Sequence, residues 1–174
     1  MHPTSRHARR GFTLVEVIAA TAIMATLTTA SFALLRTANN AWLRHRNDSN
    51  QRREAVTALQ HLMRRVRQAT HVTAISTAAD ASGALTLLMA GGTTAIWDHN
   101  AGTSQLLYGT STPTNLLAAG ITSFTVVGLK ADGSTLTTQP DLIHAVRCTL
   151  QYTLTRPTGT STETLSCTAW LRAW

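Results

Sequence analysis

Residues 12–35, FTLVEVIAATAIMATLTTASFALL, form a run of 24 residues in which Glu16 is the only charge. At 1.5 Å per residue, a helix of this length spans about 36 Å and can cross a hydrocarbon layer of ~30 Å. Residues 1–10 are polar and basic, with three arginines and no acid. Threonine and serine dilute the apolar character of the run. The run therefore predicts a membrane-spanning helix that could also leave the bilayer for a protein environment.

Two general interpretations of this N-terminus conflict with Glu16. A secretory signal peptide has such a basic start, and Ala20-Thr21-Ala22 offers an A-x-A cleavage site. However, Glu16 interrupts the short apolar core that such a signal needs, and the apolar run continues to Leu35. A plain membrane anchor explains the length of the run. It leaves the carboxylate unexplained, because a charge at mid-membrane depth costs about 2.5–3.5 kcal/mol on insertion scales.

A third interpretation rests on residues 10–18, RGFTLVEVI. This stretch resembles the type IV prepilin signature, which type IV pilins and type II secretion pseudopilins share. The resemblance implies that a prepilin peptidase cuts between Gly11 and Phe12 and methylates the new amine of Phe12. Glu16 then becomes the fifth residue of the mature chain, the acidic position of the family.

The chemistry of Glu16 agrees with this resemblance. A buried carboxylate must be paired or neutralised, and the Phe12 amine of a neighbouring subunit is a cation at the same depth. We therefore expect Glu16 to act in subunit assembly. A protonated Glu16, which would need no partner, remains the alternative.

The distribution of arginines does not settle the topology. The leader has three arginines, but more follow the apolar run, so a positive-inside count does not favour a cytoplasmic leader. The resemblance implies a single pass through the inner membrane with the C-terminal domain in the periplasm, where the protein joins a filament. The arginines that follow the run are Arg36, Arg44, Arg46, Arg52 and Arg53.

Residues 36–70 continue the helix, since no proline or glycine occurs between Phe12 and Ser82. Apolar residues recur at spacings of three and four and predict one buried face. The polar residues 47–50 mark the weakest part of this helix. The face comprises Ala55, Leu59, Leu62, Val66 and Ala69, flanked by Val56 and Met63.

The composition changes after Thr70 to threonine, serine, glycine and β-formers, which predicts a β-rich globular domain over residues 71–174. A helix followed by strands, without later helices for crossovers, indicates an α+β fold with an antiparallel sheet. The chain thus comprises a leader (1–11), a membrane or filament-core helix (12–35), its amphipathic continuation (36–70) and the β domain. The predicted strands are 72–76, 84–90, 94–97, 104–108, 121–129, 143–155 and 164–172.

The order of apolar runs along the chain narrows the resemblance from prepilin-like proteins in general to the minor subunits. The runs at 55–74, 85–88, 96–97, 106–107, 116–121 and 124–126, with a late strand at 143–146, look like a J-type minor pseudopilin of type II secretion. The related minor pilins of type IV pili share much of this layout. The acidic calcium loop of the major pseudopilin is not evident, because Asp132 and Asp141 are isolated in sequence. The resemblance implies other minor and major pseudopilins as partners.

Two cysteines near the C-terminus carry a prediction of strand register. If residues 156–159 form a turn, Thr155 faces Thr160, and the same register places Cys148 opposite Cys167. Directly opposed residues of antiparallel strands can form a disulfide when they are a non-hydrogen-bonded pair. An oxidising compartment would permit that bond. Two buried free thiols remain the alternative.

Other function classes find little support in the sequence. Seven histidines are scattered without metal-ligand spacing, and no nucleotide loop or nucleophile elbow occurs. We therefore expect no enzyme activity, no metal and no cofactor. Residues 98–100, DHN, fit a loop tip beside Gly102 better than a catalytic site. Trp170, Arg172 and Trp174 alternate on the strand face opposite Cys167, where they form either a contact patch for a partner or a cover for the second face of the sheet.

The net charge of +7 raises the possibility of nucleic-acid binding, as in minor pilins that capture DNA. Removal of the three leader arginines would lower the charge to +4. Most of the remaining arginines lie in the helix, which leaves the β domain few cations for phosphates. We therefore expect this protein to be a filament subunit rather than a DNA-binding module.

Overall fold

The computed structural model describes residues 12–156 and 159–172. One helix, α1, runs from Leu14 to Gln68, and antiparallel strands follow it. The chain divides into two compact units with the boundary between His45 and Arg46. The strands are β1 Ala69–Ile75, β2 Ala84–Met89, β3 Thr94–Asn100, β4 Gln105–Gly109, β5 Asn115–Ala119, β6 Ile121–Leu129, β7 Leu136–Thr137, β8 Ala145–Arg156 and β9 Gly159–Trp170, with a 3-10 turn at Pro140–Leu142.

The described part of the first unit is helical from Leu14 onward, and its side chains are exposed. Its most apolar 18-residue window has a mean hydropathy of 1.8, and none of that window is buried. Threonine hydroxyls donate to carbonyls of the preceding turn, from Thr21 to Ile18 at 2.9 Å and from Thr29 to Ala25 at 2.8 Å. Because these hydroxyls are satisfied within the helix, the threonines cost less in an apolar environment.

The second unit contains two antiparallel sheets. The first is a five-stranded meander in the order β1-β2-β3-β4-β5, and the second has the order β7-β6-β8-β9. The sequence predicted antiparallel strands but not their division into two sheets. The hairpin between β2 and β3 turns at Gly91 and Gly92, which both have positive φ, as the glycine pair predicted.

The buried face of α1 in the second unit confirms the predicted periodicity. It comprises Ala55, Ala58, Leu59, Leu62, Met63 and Val66. These side chains join residues of both sheets in one hydrophobic core. The helix ends at Gln68, slightly before the predicted residue 70, and Ala69 already belongs to β1. The β-branched residues that begin at Thr70 favour the strand over further helix.

The predicted register of the last hairpin is confirmed. Cys148 lies opposite Cys167, Leu150 opposite Leu165, and Val146 opposite Ala169. Every residue of β8 has a partner in β9 without a register shift. Pro157 and Thr158, in the middle of the predicted turn, lie outside the described residues.

Three features of the sheets differ from the sequence prediction. β5 and the short β7 were not among the predicted strands. The interpretation of residues 98–100 as a loop tip is wrong, because β3 continues through Asn100. His99 is buried, and its Nε2 donates to the carbonyl of Ile121 at 2.9 Å. β3 extends beyond Trp97 because Asp98, His99 and Asn100 pair with Leu107, Leu106 and Gln105 of β4. The hydrogen bond to the start of β6 satisfies the buried Nε2 of the His99 ring.

Candidate functional site

The N-terminus of α1 carries a capping box. The Glu16 Oε2 atom accepts hydrogen bonds from the Thr13 backbone amide and from the Thr13 hydroxyl, both at 3.0 Å. The Glu16 amide in turn donates to Thr13 Oγ1 at 3.3 Å. This reciprocal arrangement satisfies donors that the first turn of a helix otherwise leaves free.

The capping box gives Glu16 a second role, which the sequence analysis missed. The signal was present, because Thr13-Leu14-Val15-Glu16 is the T-x-x-E pattern that precedes apolar helices. Both contacts within the chain use Oε2, and no hydrogen bond to Oε1 is found in residues 12–156 and 159–172. Glu16 can therefore cap its own helix while Oε1 is open to a cation of a neighbouring subunit.

Phe12 stands directly before this cap. Its side chain is 87% exposed, and apolar side chains around the following helix are also exposed. An apolar surface of this extent in a solvent-facing helix requires a membrane or neighbouring protein to cover it. Gly11, the other side of the predicted cleavage site, lies outside the described residues. The exposed apolar residues here are Phe12, Leu14, Val15, Val17, Ile18, Ile23, Met24, Leu27, Phe32, Leu34 and Leu35.

Comparison with known proteins supports the N-terminal resemblance to type IV prepilins. Residues 6–32 match the family described as the prokaryotic N-terminal methylation motif. No curated protein and no solved structure matched the chain. The motif and the α+β, pilin-like fold support a type IV prepilin-like protein. The motif implies processing by a prepilin peptidase and pilin-type assembly, and the apolar helix fits membrane anchoring.

The two cysteines are adjacent across β8 and β9. Cys148 is fully buried and Cys167 is partly exposed, and both are free thiols in this structure. Burial raises the pKa of the Cys148 thiol, and the nearby Cys167 raises it further. The disulfide stays a prediction. The register on which it rests is confirmed, but in the same register the Leu171 amide donates to the His144 carbonyl at 2.9 Å. Because hydrogen-bonded and non-hydrogen-bonded pairs alternate, Cys148 and Cys167 form a hydrogen-bonded pair and not the non-hydrogen-bonded pair that the prediction assumed.

Oxidation should join Cys148 to Cys167 and stabilise the second unit. Closing a loop of ~20 residues contributes about 3 kcal/mol in the chain-entropy model, so reduction should lower the unfolding free energy by about that amount. Peptide mapping without reductant measures the bond, and chemical unfolding with and without reductant measures its effect. A Cys148→Ala/Cys167→Ala double variant should not respond to reductant. Two free thiols in protein isolated and mapped without reductant would contradict this prediction.

A cluster of three rings connects α1 to the first sheet. The His61 ring lies edge-on to Tyr108 with ring centroids 4.7 Å apart, and Trp97 lies 6.0 Å from His61. His61 Nδ1 and the indole nitrogen of Trp97 are buried without a hydrogen-bond partner in the described residues. Burial lowers the pKa of His61, and the cations Arg65 and Arg64 lower it further. This cluster is a structural contact, and the neutral form of His61 suits it.

The second unit should lose stability in mild acid through His61. Its folded pKa is below the ordinary value of 6.5, so the unfolded state binds the proton more readily. The contribution of His61 is thus present above pH 6.5 and is lost as the pH falls through the lowered pKa. Chemical unfolding from pH 7.5 to pH 5 measures this loss. A His61→Phe variant keeps an aromatic ring without a titrating group, and an unchanged pH dependence in that variant would exclude His61 as the cause.

The remaining candidate residues do not converge on one site. No group of three histidine, cysteine or acidic side chains in the described ranges is placed to hold a metal ion. Trp170 is 52% exposed at the end of β9, as expected for a contact patch. Arg172 follows the end of that strand, and Trp174 lies outside the described residues. The N-terminal segment around Phe12 and Glu16 is therefore the candidate functional site.

Proposed function

We propose that this protein is a minor pseudopilin, a structural subunit of a type II secretion pseudopilus that a prepilin peptidase processes. The observation that carries the proposal is the N-terminal segment, in which Phe12 and a capped Glu16 begin a helix of exposed apolar residues. Such a helix can be stored in the inner membrane and then transferred to a filament core. The protein acts by assembly and not as an enzyme.

The partners follow from this role. They are the prepilin peptidase, the inner membrane, and other minor and major pseudopilins. The mature chain crosses the inner membrane once, and its second unit, from Arg46 onward, lies in the periplasm. The order of apolar runs, which resembles that of J-type minor pseudopilins, supports the choice of subunit.

The loop at Asp132 supports a minor over a major subunit. Asp132 Oδ1 accepts hydrogen bonds from the amides of Ser134 and Thr135, both at 2.9 Å, and the hydroxyl of Thr135 bonds to Oδ2. These hydrogen bonds hold the pKa of Asp132 well below its usual range. The carboxylate thus stabilises its own turn. In the proposed function this loop has a structural role and no part in calcium binding.

Deletion of the gene in its host tests the proposed function. We expect secreted enzymes to accumulate in the periplasm, while surface pili and natural transformation stay normal. Complementation with the wild-type gene should restore secretion. Normal secretion together with loss of pili or of transformation would contradict the proposal and identify the alternative, a minor type IV pilin that takes part in pilus assembly or DNA uptake.

Exposed arginines on α1 are the observation that favours the DNA-uptake alternative. A gel-shift titration of the detergent-solubilised chain with duplex DNA at increasing salt addresses it directly, since phosphate contacts weaken steeply with salt. We expect weak binding that disappears near physiological salt. Tight binding under those conditions would favour DNA capture. The exposed arginines of α1 are Arg36, Arg44, Arg46, Arg52, Arg53, Arg64 and Arg67.

A further inference from the structure

A groove of about 680 Å³ lies between the C-terminal half of α1 and strand β9. Three residues of β9 line it, Leu165, Ser166 and Cys167. The two apolar ones, Leu165 and Cys167, are only partly buried, although their partners on β8 are fully buried. The hydrophobic core is therefore open along this edge. The apolar lining consists of Val56, Leu59, Met63, Leu165 and Cys167.

Strand β9 offers an unprotected backbone edge beside this groove. It is twelve residues long, ends its sheet and pairs, within the described residues, with β8 only. Proteins normally protect such edges with proline, lysine or a bulge. β9 contains neither proline nor lysine, and its pairing shows no bulge. Its one charge, Glu163, forms an ion pair with Arg156 at 3.2 Å. The outer backbone groups of β9 can therefore accept another strand.

Two cations stand at the helix side of the groove. Arg64 and Arg67 are exposed and line it, and no acidic residue does. Neither arginine forms an ion pair with a carboxylate of the described residues. The charge of the groove therefore favours an occupant that carries a carboxylate.

We propose that the groove between α1 and β9 binds an extended segment of a different polypeptide, which adds a strand to β9. Alternate residues of a strand point to the same face. Two successive inward residues of this segment are apolar and cover Leu165 and Cys167, and the next inward residue is acidic and contacts Arg64 or Arg67. Backbone hydrogen bonds supply affinity and the side chains supply specificity. A second copy of this chain fits less well, since it is itself basic. The inference holds for a pseudopilin and for a pilin alike.

Peptide selection on the full chain in lipid nanodiscs tests this proposal. A phage-displayed library of random eight-residue peptides is depleted on empty nanodiscs and then selected on the loaded ones. We expect enriched peptides with apolar residues at positions i and i+2 and an acid at i+4. The strongest peptide, made synthetically, should slow hydrogen exchange of amides in β9. No enrichment, a helical bound peptide, or unchanged exchange in β9 would overturn the proposal.

Charge-reversal variants supply the matched control. Arg64→Glu combined with Arg67→Glu should weaken binding of the synthetic peptide at least tenfold by fluorescence anisotropy. Arg52→Glu combined with Arg53→Glu changes the same number of exposed charges on the same helix, away from the groove, and should change binding less than twofold. Equal effects of the two pairs would overturn the proposal. Native mass spectrometry supplies a second check. A dimer that is dissociated by the Arg64 and Arg67 changes, but not by the Arg52 and Arg53 changes, would also overturn the proposal, because the occupant would then be a second copy of the chain.

Discussion

Replacing Gly11 with leucine should leave the whole population of the protein unprocessed. The peptidase works at the membrane face, and the residue before the cut must be small for the scissile bond to enter its active site. A leucine side chain at this position blocks that access. Intact-mass analysis of membrane fractions should show a precursor that keeps its eleven-residue leader. The wild type should show a mature chain that begins at Phe12 with one added methyl group.

An Ala22→Leu variant is the matched control, because it changes the A-x-A site that a signal peptidase would use. This variant should be processed normally at Gly11. The opposite pattern, with a mature chain that begins after Ala22 in the wild type and no processing in Ala22→Leu, would establish a secretory signal peptide. The two variants add the same apolar side chain to the N-terminal segment, so a general effect on membrane insertion would affect both.

Replacing Glu16 with alanine should reduce incorporation into filaments by about a hundredfold to a few thousandfold. Removing one partner of a buried charge pair costs about 3–5 kcal/mol, and each 1.4 kcal/mol is a factor of ten. Fractionation of sheared filaments followed by quantitative immunoblotting measures the incorporation. The melting temperature of the second unit should not change, because Glu16 belongs to the first unit. Wild-type incorporation of the variant would exclude the charge pair.

The capping box makes a sharper version of this experiment possible. Glutamine at position 16 keeps the hydrogen bonds to Thr13 but removes the charge, since glutamine also serves in capping boxes. Thr13→Ala removes the hydroxyl but keeps the carboxylate, at a cost of about 1 kcal/mol for a lost cap. We expect Glu16→Gln to fail in assembly like Glu16→Ala, and Thr13→Ala to assemble. The reverse result would show that Glu16 acts only as a cap.

The register of the last hairpin and the buried face of α1 could be predicted from residues that are close together in the sequence. The hairpin of β8 and β9 is the clearest case, because a short turn sets the register of the strands that it joins. That register placed Cys148 opposite Cys167, as the structure confirms. The buried face of α1 followed from spacings of three and four residues in the same way.

The burial of His99 and the division into two sheets depend on residues far apart in the chain, so the local sequence pattern did not predict them. His99 sits in a polar run typical of a turn, but it pairs with Leu106 of β4, and its buried ring donates to a carbonyl 22 residues away. The division of the strands into two sheets depends on which strands pair across the chain. The alternation of residues within one strand does not specify its partner, since β2 and β6 alternate alike but belong to different sheets. Burial of a polar side chain is decided by its partner, and the partner is not visible in the local sequence.

The sequence by itself determined the N-terminal segment of this protein. The methylation motif, the membrane-length helix and the T-x-x-E cap all depend on residues within a few positions of one another, so their hydrogen bonds and apolar periodicity follow from the order of the chain. Only the tertiary structure decided the groove beside β9. Leu165 and Cys167 alternate like any core strand, and their partial exposure arises because β9 ends its sheet and α1 does not cover it.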